Sequence, residues 1–143
     1  MVGVWAGRTL RQGEVARWTE KQTAPIAGEP MLAFQYQAEF LGHVACSAGA
    51  SAQTCVELHL IAEVSKEDLR ELADAVRSSL PAAAEGTGVE YPELRIELRL
   101  VTDPDTLLPY RYRQSVRKAM KMIQPNSTME THTQDDLELV FTY

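Results

Sequence analysis

Residues 32–40 alternate between apolar and polar side chains, and this pattern restricts the fold more than any other feature. Leu32, Phe34, Tyr36, Ala38 and Phe40 alternate with Gln35, Gln37 and Glu39. Because successive side chains of a strand point to opposite faces, the pattern predicts a β-strand with one buried and one wet face. Two further apolar alternations, over residues 56–62 and 94–100, predict a second and a third strand. We expect the first two strands to form a hairpin.

Three other segments predict helices. Residues 8–22 place Leu10, Val15 and Trp18 at roughly helical spacing. Ser65, followed three residues later by Asp68, resembles a capping box and predicts a helix that ends before Pro81. Residues 106–124 predict a third helix, ended by Pro125, and a last strand runs through residues 137–141.

The resulting order of elements, α-β-β-α-β-α-β, predicts the α+β class. We expect a single four-stranded antiparallel or mixed sheet with helices packed on one face, as in a ferredoxin-like or related sandwich. The 143 residues fit one compact domain. Within it we distinguish an N-terminal helix and connector, residues 1–30, from the α+β domain proper, residues 31–143.

Positive charge is concentrated in one part of an acidic chain. The net charge is −6, yet Thr106 to Met129 contains five basic residues and no Asp or Glu. On a helix, these basic residues would form one cationic arc in solvent, opposite an apolar stripe that seats the helix on the sheet. They are Arg111, Arg113, Arg117, Lys118 and Lys121.

Two interpretations of this arc remain open. It is either a solvated face neutralised by acids such as Glu67, Glu71 and Asp74, or a surface that docks a negative partner. Like charges four residues apart on a helix repel each other mildly, and a negative partner would relieve that repulsion. An acidic protein surface or a second copy of the chain fits better than nucleic acid, because the rest of the chain would repel a long polyanion.

Cys46 and Cys55 flank the predicted hairpin turn. Together with His43 and His59 they give the zinc-like spacing H-x2-C-x8-C-x3-H. We predict no metal site, since a hairpin with Cys46 opposite Cys55 sends the two histidines to opposite faces of the sheet. Two arrangements remain open: a hairpin with a β-bulge near Gly42, in which a disulfide can form, and a regular hairpin with two free thiols.

The best catalytic constellation consists of two Glu-x-His pairs, Glu57 with His59 and Glu130 with His132. If their strands were neighbours, two carboxylates and two imidazoles would cluster on the wet face of the sheet. The sequence contains no nucleotide-binding, serine-hydrolase or zinc-protease motif, and we predict no cofactor.

We therefore predict a non-catalytic interaction module. The five basic residues of the arc would dock an acidic partner or a second copy of the chain, and an edge strand offers a second route to self-association. The alternative is a small enzyme or ligand-binding domain that uses the polar sheet face around Glu57, His59, Glu130 and His132. We predict no membrane span and no secretory signal, and hence a cytoplasmic location, with an exported domain carrying one disulfide as the alternative.

Overall fold

The computed structural model describes residues 10–23, 31–47, 53–81 and 86–143. These residues form six strands and one helix. The elements are β1 (Val15–Thr23), β2 (Met31–Ala45), β3 (Thr54–Val64), α1 (Lys66–Ser79), β4 (Gly88–Thr102), β5 (Pro109–Gln124) and β6 (Ser127–Val140). All six strands belong to one antiparallel sheet, and their spatial order follows the sequence from β1 to β6. The predicted connector over residues 24–30 lies outside the described residues.

The predicted ferredoxin-like α+β sandwich is wrong. The structure is mostly sheet, a single six-stranded antiparallel sheet with one short helix instead of four strands with several helices. The segment 8–22 was expected to be helical, but its described part contains β1, in which Trp18 lies opposite Tyr36 of β2. Pairing with β2 satisfies the backbone groups of β1 that point toward it, and part of Trp18 is buried against the core. These gains override the weak helical spacing.

The predicted basic helix is also wrong, because residues 109–124 form strand β5. This strand pairs with β4 on one side and with β6 on the other. The turn at Pro125 and Asn126, which we expected to end a helix, connects β5 to β6 as a two-residue hairpin turn. Because β5 has a neighbour on each side, its backbone N–H and C=O groups form hydrogen bonds with β4 and β6 instead of within a helix.

The three alternating strands and the helix after Ser65 are confirmed, while the last strand is longer than predicted, since β6 begins at Ser127 and ends at Val140. Strands β2, β3 and β4 contain the three alternating segments, and β2 pairs with β3 as a hairpin. Helix α1 begins after Ser65, whose hydroxyl accepts a hydrogen bond from the Asp68 backbone amide at 3.1 Å. The Asp68 carboxylate does not complete the capping box. It accepts from the Ala33 amide at 3.1 Å instead and so ties the start of the helix to β2.

Helix α1 divides the sheet into two unlike faces. Leu69 and Leu72 of the helix join the even-numbered residues of β2, β3 and β4 in one buried cluster. We call this side the covered face. The opposite side, which carries the odd-numbered residues of β3, β4 and β5, is the open face. Phe34, Leu60 and Leu98 on the covered face are each no more than 2% exposed, so the core lies between α1 and the sheet.

A β-bulge lies between Phe40 and Gly42, where the register of β2 against β3 shifts by one residue. Gly42 has a φ of 142°, a conformation that side chains rarely adopt, and an added Cβ there would lie 3.0 Å from Gln12 Nε2. Beyond the bulge, Val44 faces Cys55, and Cys46 is joined to Cys55 by a disulfide with a Cα–Cα distance of 4.9 Å. The bulged hairpin is therefore the arrangement present. Within the described residues, no helix is long and apolar enough to cross a membrane.

Candidate functional site

The open face carries a ladder of charged side chains across β4 and β5. In this ladder Arg95 lies opposite Arg117, and Arg99 lies opposite Arg113. Like charges directly opposite each other on a sheet destabilise it unless carboxylates lie beside them. The positions of the acids therefore decide which arginines remain available to a ligand.

Glu97 neutralises the first arginine pair. Its carboxylate lies 3.8 Å from Arg95 and 3.5 Å from Arg117, and His59 of β3 hydrogen-bonds to it at 2.8 Å. Arg95 also contacts Glu63. The hydrogen bond from His59, followed by the charges of the neighbouring cations, lowers the pKa of Glu97 below its usual value. The charges of Arg95, Arg117 and Glu97 are therefore compensated by one another and by Glu63 within the sheet.

The second arginine pair is compensated only on its outer sides. Arg113 donates to Glu138 of β6 at 2.8 Å, while Arg99 lies 3.7 Å from Glu57 of β3. The next residue of β5 on this face, Arg111, lies opposite Val101. Arg111 is exposed and makes no ion pair with any of the described residues. Cationic charge thus remains available at this end of the ladder.

A shallow cavity of about 290 Å³ opens at this end of the ladder, beside the disulfide. Three arginines, Arg99, Arg111 and Arg113, line it together with a single carboxylate, Glu57. Val101 and the residues from Val44 to Ser47 complete the lining. We call this site the arginine cavity. Guanidinium groups present a planar fork of donors that matches carboxylate geometry, so the cavity can bind an anionic group.

The structure divides the five predicted partner-binding residues. Arg111, Arg113, Arg117 and Lys121 lie on the open face, whereas Lys118 lies on the covered face opposite Thr133. Lys118 is 3.8 Å from Asp135, and Lys121 is 3.7 Å from Glu90. The acids that neutralise these cations lie on β4 and β6, and not on α1, where one of the two open interpretations placed them. Only Arg111 and Arg113 of the predicted set reach the arginine cavity.

Sequence reasoning missed Arg99. Its alternation with Leu98 and Leu100 places it on the wet face of a predicted strand, and that signal was readable. Its proximity to Arg111 and Arg113 was not, because it depends on β5 being a strand paired with β4.

The predicted catalytic constellation does not assemble. Glu57 and His59 lie on β3, and Glu130 and His132 lie on β6, so β4 and β5 separate the two pairs. Three strand spacings amount to about 14 Å. His59 hydrogen-bonds to Glu97, and His132 lies 3.1 Å from Glu130 of its own strand. The part of the chain that the structure describes contains no cluster of three or more metal-ligating side chains.

A second concavity lies on the covered face, where α1 ends its coverage of the sheet. It has a volume of about 240 Å³ and a mostly apolar lining that includes Leu69, Leu72, Tyr91 and Leu94. Lys118 is at its border. This groove shows that the helix covers the β4 side of the sheet more fully than the β5 side.

Comparison with known proteins gives no relative. No protein-family model, curated protein or solved structure matches the chain.

Proposed function

We propose that the domain is a non-catalytic interaction module that captures a carboxylate-bearing segment of an acidic partner protein in the arginine cavity. The observation that carries this proposal is the excess of arginine in the cavity lining, where Arg99, Arg111 and Arg113 accompany one acidic residue, Glu57, and only Arg113 is held by a further carboxylate, that of Glu138. The docking element is strand β5 with Arg99 of β4, instead of a basic helix.

The state of each arginine supports a carboxylate ligand. Arg111 makes no ion pair with a described residue, and the Arg99–Glu57 pair is long at 3.7 Å. A carboxylate entering between them gains charge-assisted hydrogen bonds without breaking a short internal ion pair. Arg113 stays held by Glu138 at 2.8 Å and contributes its remaining donors.

The overall charge favours a short acidic segment over a long polyanion. The chain has a net charge of −6, so an extended nucleic acid would be repelled by most of its surface. A short glutamate-rich peptide contacts only the surface around the cavity, and physiological salt screens charges more than about 8 Å away.

Binding of a glutamate-rich peptide to the whole chain tests this proposal. We expect Arg111→Glu to raise the peptide Kd by about tenfold or more at low salt, because it replaces an attraction by a repulsion inside the cavity. Arg17→Glu is the matched control, since Arg17 is an exposed arginine on β1, at the far end of the sheet, and the charge change is the same. Fluorescence anisotropy of a labelled peptide measures both.

The control separates a site from a general charge effect. Equal weakening by Arg111→Glu and Arg17→Glu would show that only net charge matters and would contradict the proposal. The same conclusion would follow if a lysine-rich peptide bound as tightly as the glutamate-rich one.

The compartment belongs to this proposal as well. Disulfides persist in oxidising compartments and are rare in the cytosol. The Cys46–Cys55 bridge therefore supports an exported domain over the cytoplasmic location that the sequence led us to expect.

A further inference from the structure

The outer edge of β6 carries four carboxylates but lacks several other features that protect an edge strand. Its fourteen residues include no Pro, Gly, Lys or Arg, and it pairs with β5 without a bulge. Natural sheets usually protect such an edge with charged side chains, lysine above all, or with a proline, a bulge or a short strand. The opposite edge of this sheet is β1, which has nine residues and carries Arg17 and Lys21. Among the residues that the structure describes, no further strand pairs with the outer edge of β6, and its greater length and lack of lysine distinguish it from β1.

Most side chains of β6 are exposed to solvent, and several of them are apolar. Of its fourteen side chains only Thr133 is partly buried, and the others are exposed. On the covered face these include Met129, Leu137 and Leu139, which are 57%, 48% and 42% exposed. A strand added beside β6 would extend this face and cover these side chains.

We propose that β6 pairs antiparallel with β6 of a second copy of the chain, about a two-fold axis through Gln134. The two six-stranded sheets then form one continuous sheet, with the covered faces on the same side. This interaction is independent of the arginine cavity and does not rest on the proposed function.

Symmetry limits the registers that such a pair can adopt. A two-fold axis perpendicular to the sheet keeps each face on its own side, so a residue can only oppose a residue of the same face. Along β6 the faces alternate, and odd-numbered positions therefore oppose odd-numbered ones and even-numbered positions even-numbered ones. Two such registers overlap the strands almost fully, one centred on Thr133 and the other on Gln134.

Charge selects the register centred on Gln134. There, Asp136 of each copy opposes His132 of the other, and Leu139 opposes Met129. Glu138 opposes Glu130, but Arg113 already donates to Glu138 at 2.8 Å and reduces that repulsion. Centring on Thr133 instead places Asp136 opposite Glu130 and moves His132 opposite Gln134. Asp136 accepts a hydrogen bond from Gln134 at 2.9 Å, and the nearby Arg117 acts on it without forming an ion pair, so this repulsion is less well compensated than that at Glu138. Opposite charges across a strand pair stabilise it and like charges destabilise it.

Disulfide trapping tests the axis directly. Residue 134 opposes itself in the proposed dimer, so Gln134→Cys should give a covalent dimer under mild oxidation in high yield. His132→Cys opposes residue 136 and should give only background dimer, as should Thr133→Cys. Non-reducing gel electrophoresis of the three variants reports the yields. Preferential trapping of Thr133→Cys, or equal trapping of all three, overturns the proposed register.

Sedimentation equilibrium of the full chain tests the charge pair. His132→Asp places two carboxylates opposite each other twice in the dimer and should raise its Kd by about tenfold or more. The double variant His132→Asp with Asp136→His restores an imidazole opposite a carboxylate and should recover most of the lost affinity. His43→Asp changes an exposed histidine on β2 and should leave the Kd unchanged.

Three results overturn the proposal. They are a wild-type chain that sediments as a monomer at all concentrations, a double variant that associates no better than His132→Asp, and growth of open filaments instead of a closed dimer. Filaments would indicate β6 pairing with β1 of the next copy, a head-to-tail contact that does not close. Circular dichroism of each variant confirms that the sheet is intact. Arg111→Glu should leave the dimer unchanged, so this test and the peptide test fail independently.

Discussion

At the scale of single residues, strand alternation gives adjacent positions opposite environments. Tyr36 is 3% exposed and stacks on Trp18 with ring centroids 5.2 Å apart, whereas Gln35 on the other face is exposed. Burial, with a smaller contribution from the Glu20 carboxylate, raises the pKa of Tyr36 from 10.0 to about 12. The charge state of one buried phenol therefore becomes linked to folding.

This link predicts an alkaline loss of stability. In the unfolded chain tyrosine ionises near pH 10.0, while in the native chain Tyr36 holds its proton to about pH 12. Because the unfolded state loses the proton first, the free energy of unfolding falls as pH rises through this window, by at most about 1.4 kcal/mol per pH unit for one proton. Tyr36→Phe should make the decline shallower in urea titrations.

Two other partly buried tyrosines contribute to the same alkaline decline. Burial also raises the pKa values of Tyr91 and Tyr112, so part of the decline should remain in Tyr36→Phe. The linkage would be refuted if the slopes of wild type and Tyr36→Phe were identical between pH 10 and pH 12.

At the scale of elements, helix α1 and strand β5 show why one amphipathic segment was predictable and the other was not. The limits of α1 are local, with Ser65 as the cap and Pro81 just beyond the last turn. In β5, Arg113, Arg117 and Lys121 are four residues apart. A spacing of four puts side chains on one face of a helix and also on one face of a strand. Pairing with β4 and β6 decides between the two.

The helix cap gives a prediction at this scale. Ser65→Ala removes the acceptor for the Asp68 amide and should lower the free energy of unfolding by about 1 kcal/mol. Ser78→Ala, near the end of the same helix, removes only an exposed hydroxyl that donates to the Asp74 carbonyl, and should change it by less than about 0.5 kcal/mol. Urea unfolding of the two variants compares them. Equal effects would contradict a capping role for Ser65.

At the scale of the whole molecule, charges and cysteines become meaningful only through the sheet. The acids that neutralise most of the basic segment come from the strands on either side of it, Glu97 of β4 and Glu138 of β6 among them. The disulfide links the end of β2 to the start of β3, and its Cys46 lines the arginine cavity. The disulfide and the arginine cavity therefore lie at the same end of the open face.

If the domain is exported to an oxidising compartment, Cys46 and Cys55 should be joined by a disulfide in the native protein. Alkylation of thiols during lysis, before any reduction, should leave both Cys46 and Cys55 unlabelled, and both should become labelled after denaturation and reduction. Mass spectrometry of the intact chain measures this. Labelling of both cysteines at the first step would show that the protein is kept in a reducing compartment.

Strands β2, β3 and β4 and helix α1 with its cap could be predicted from neighbouring residues alone. The same holds for the statement that a disulfide requires a bulge near Gly42. Each of these depends on neighbouring residues, through alternation, capping or the parity of a hairpin register. Only the tertiary structure decided that β1 and β5 are strands, that Arg99 joins Arg111 and Arg113, and that Glu57 and His59 lie far from Glu130 and His132. The physical reason is that a strand is stabilised by its partners, and the sequence of one strand does not name them.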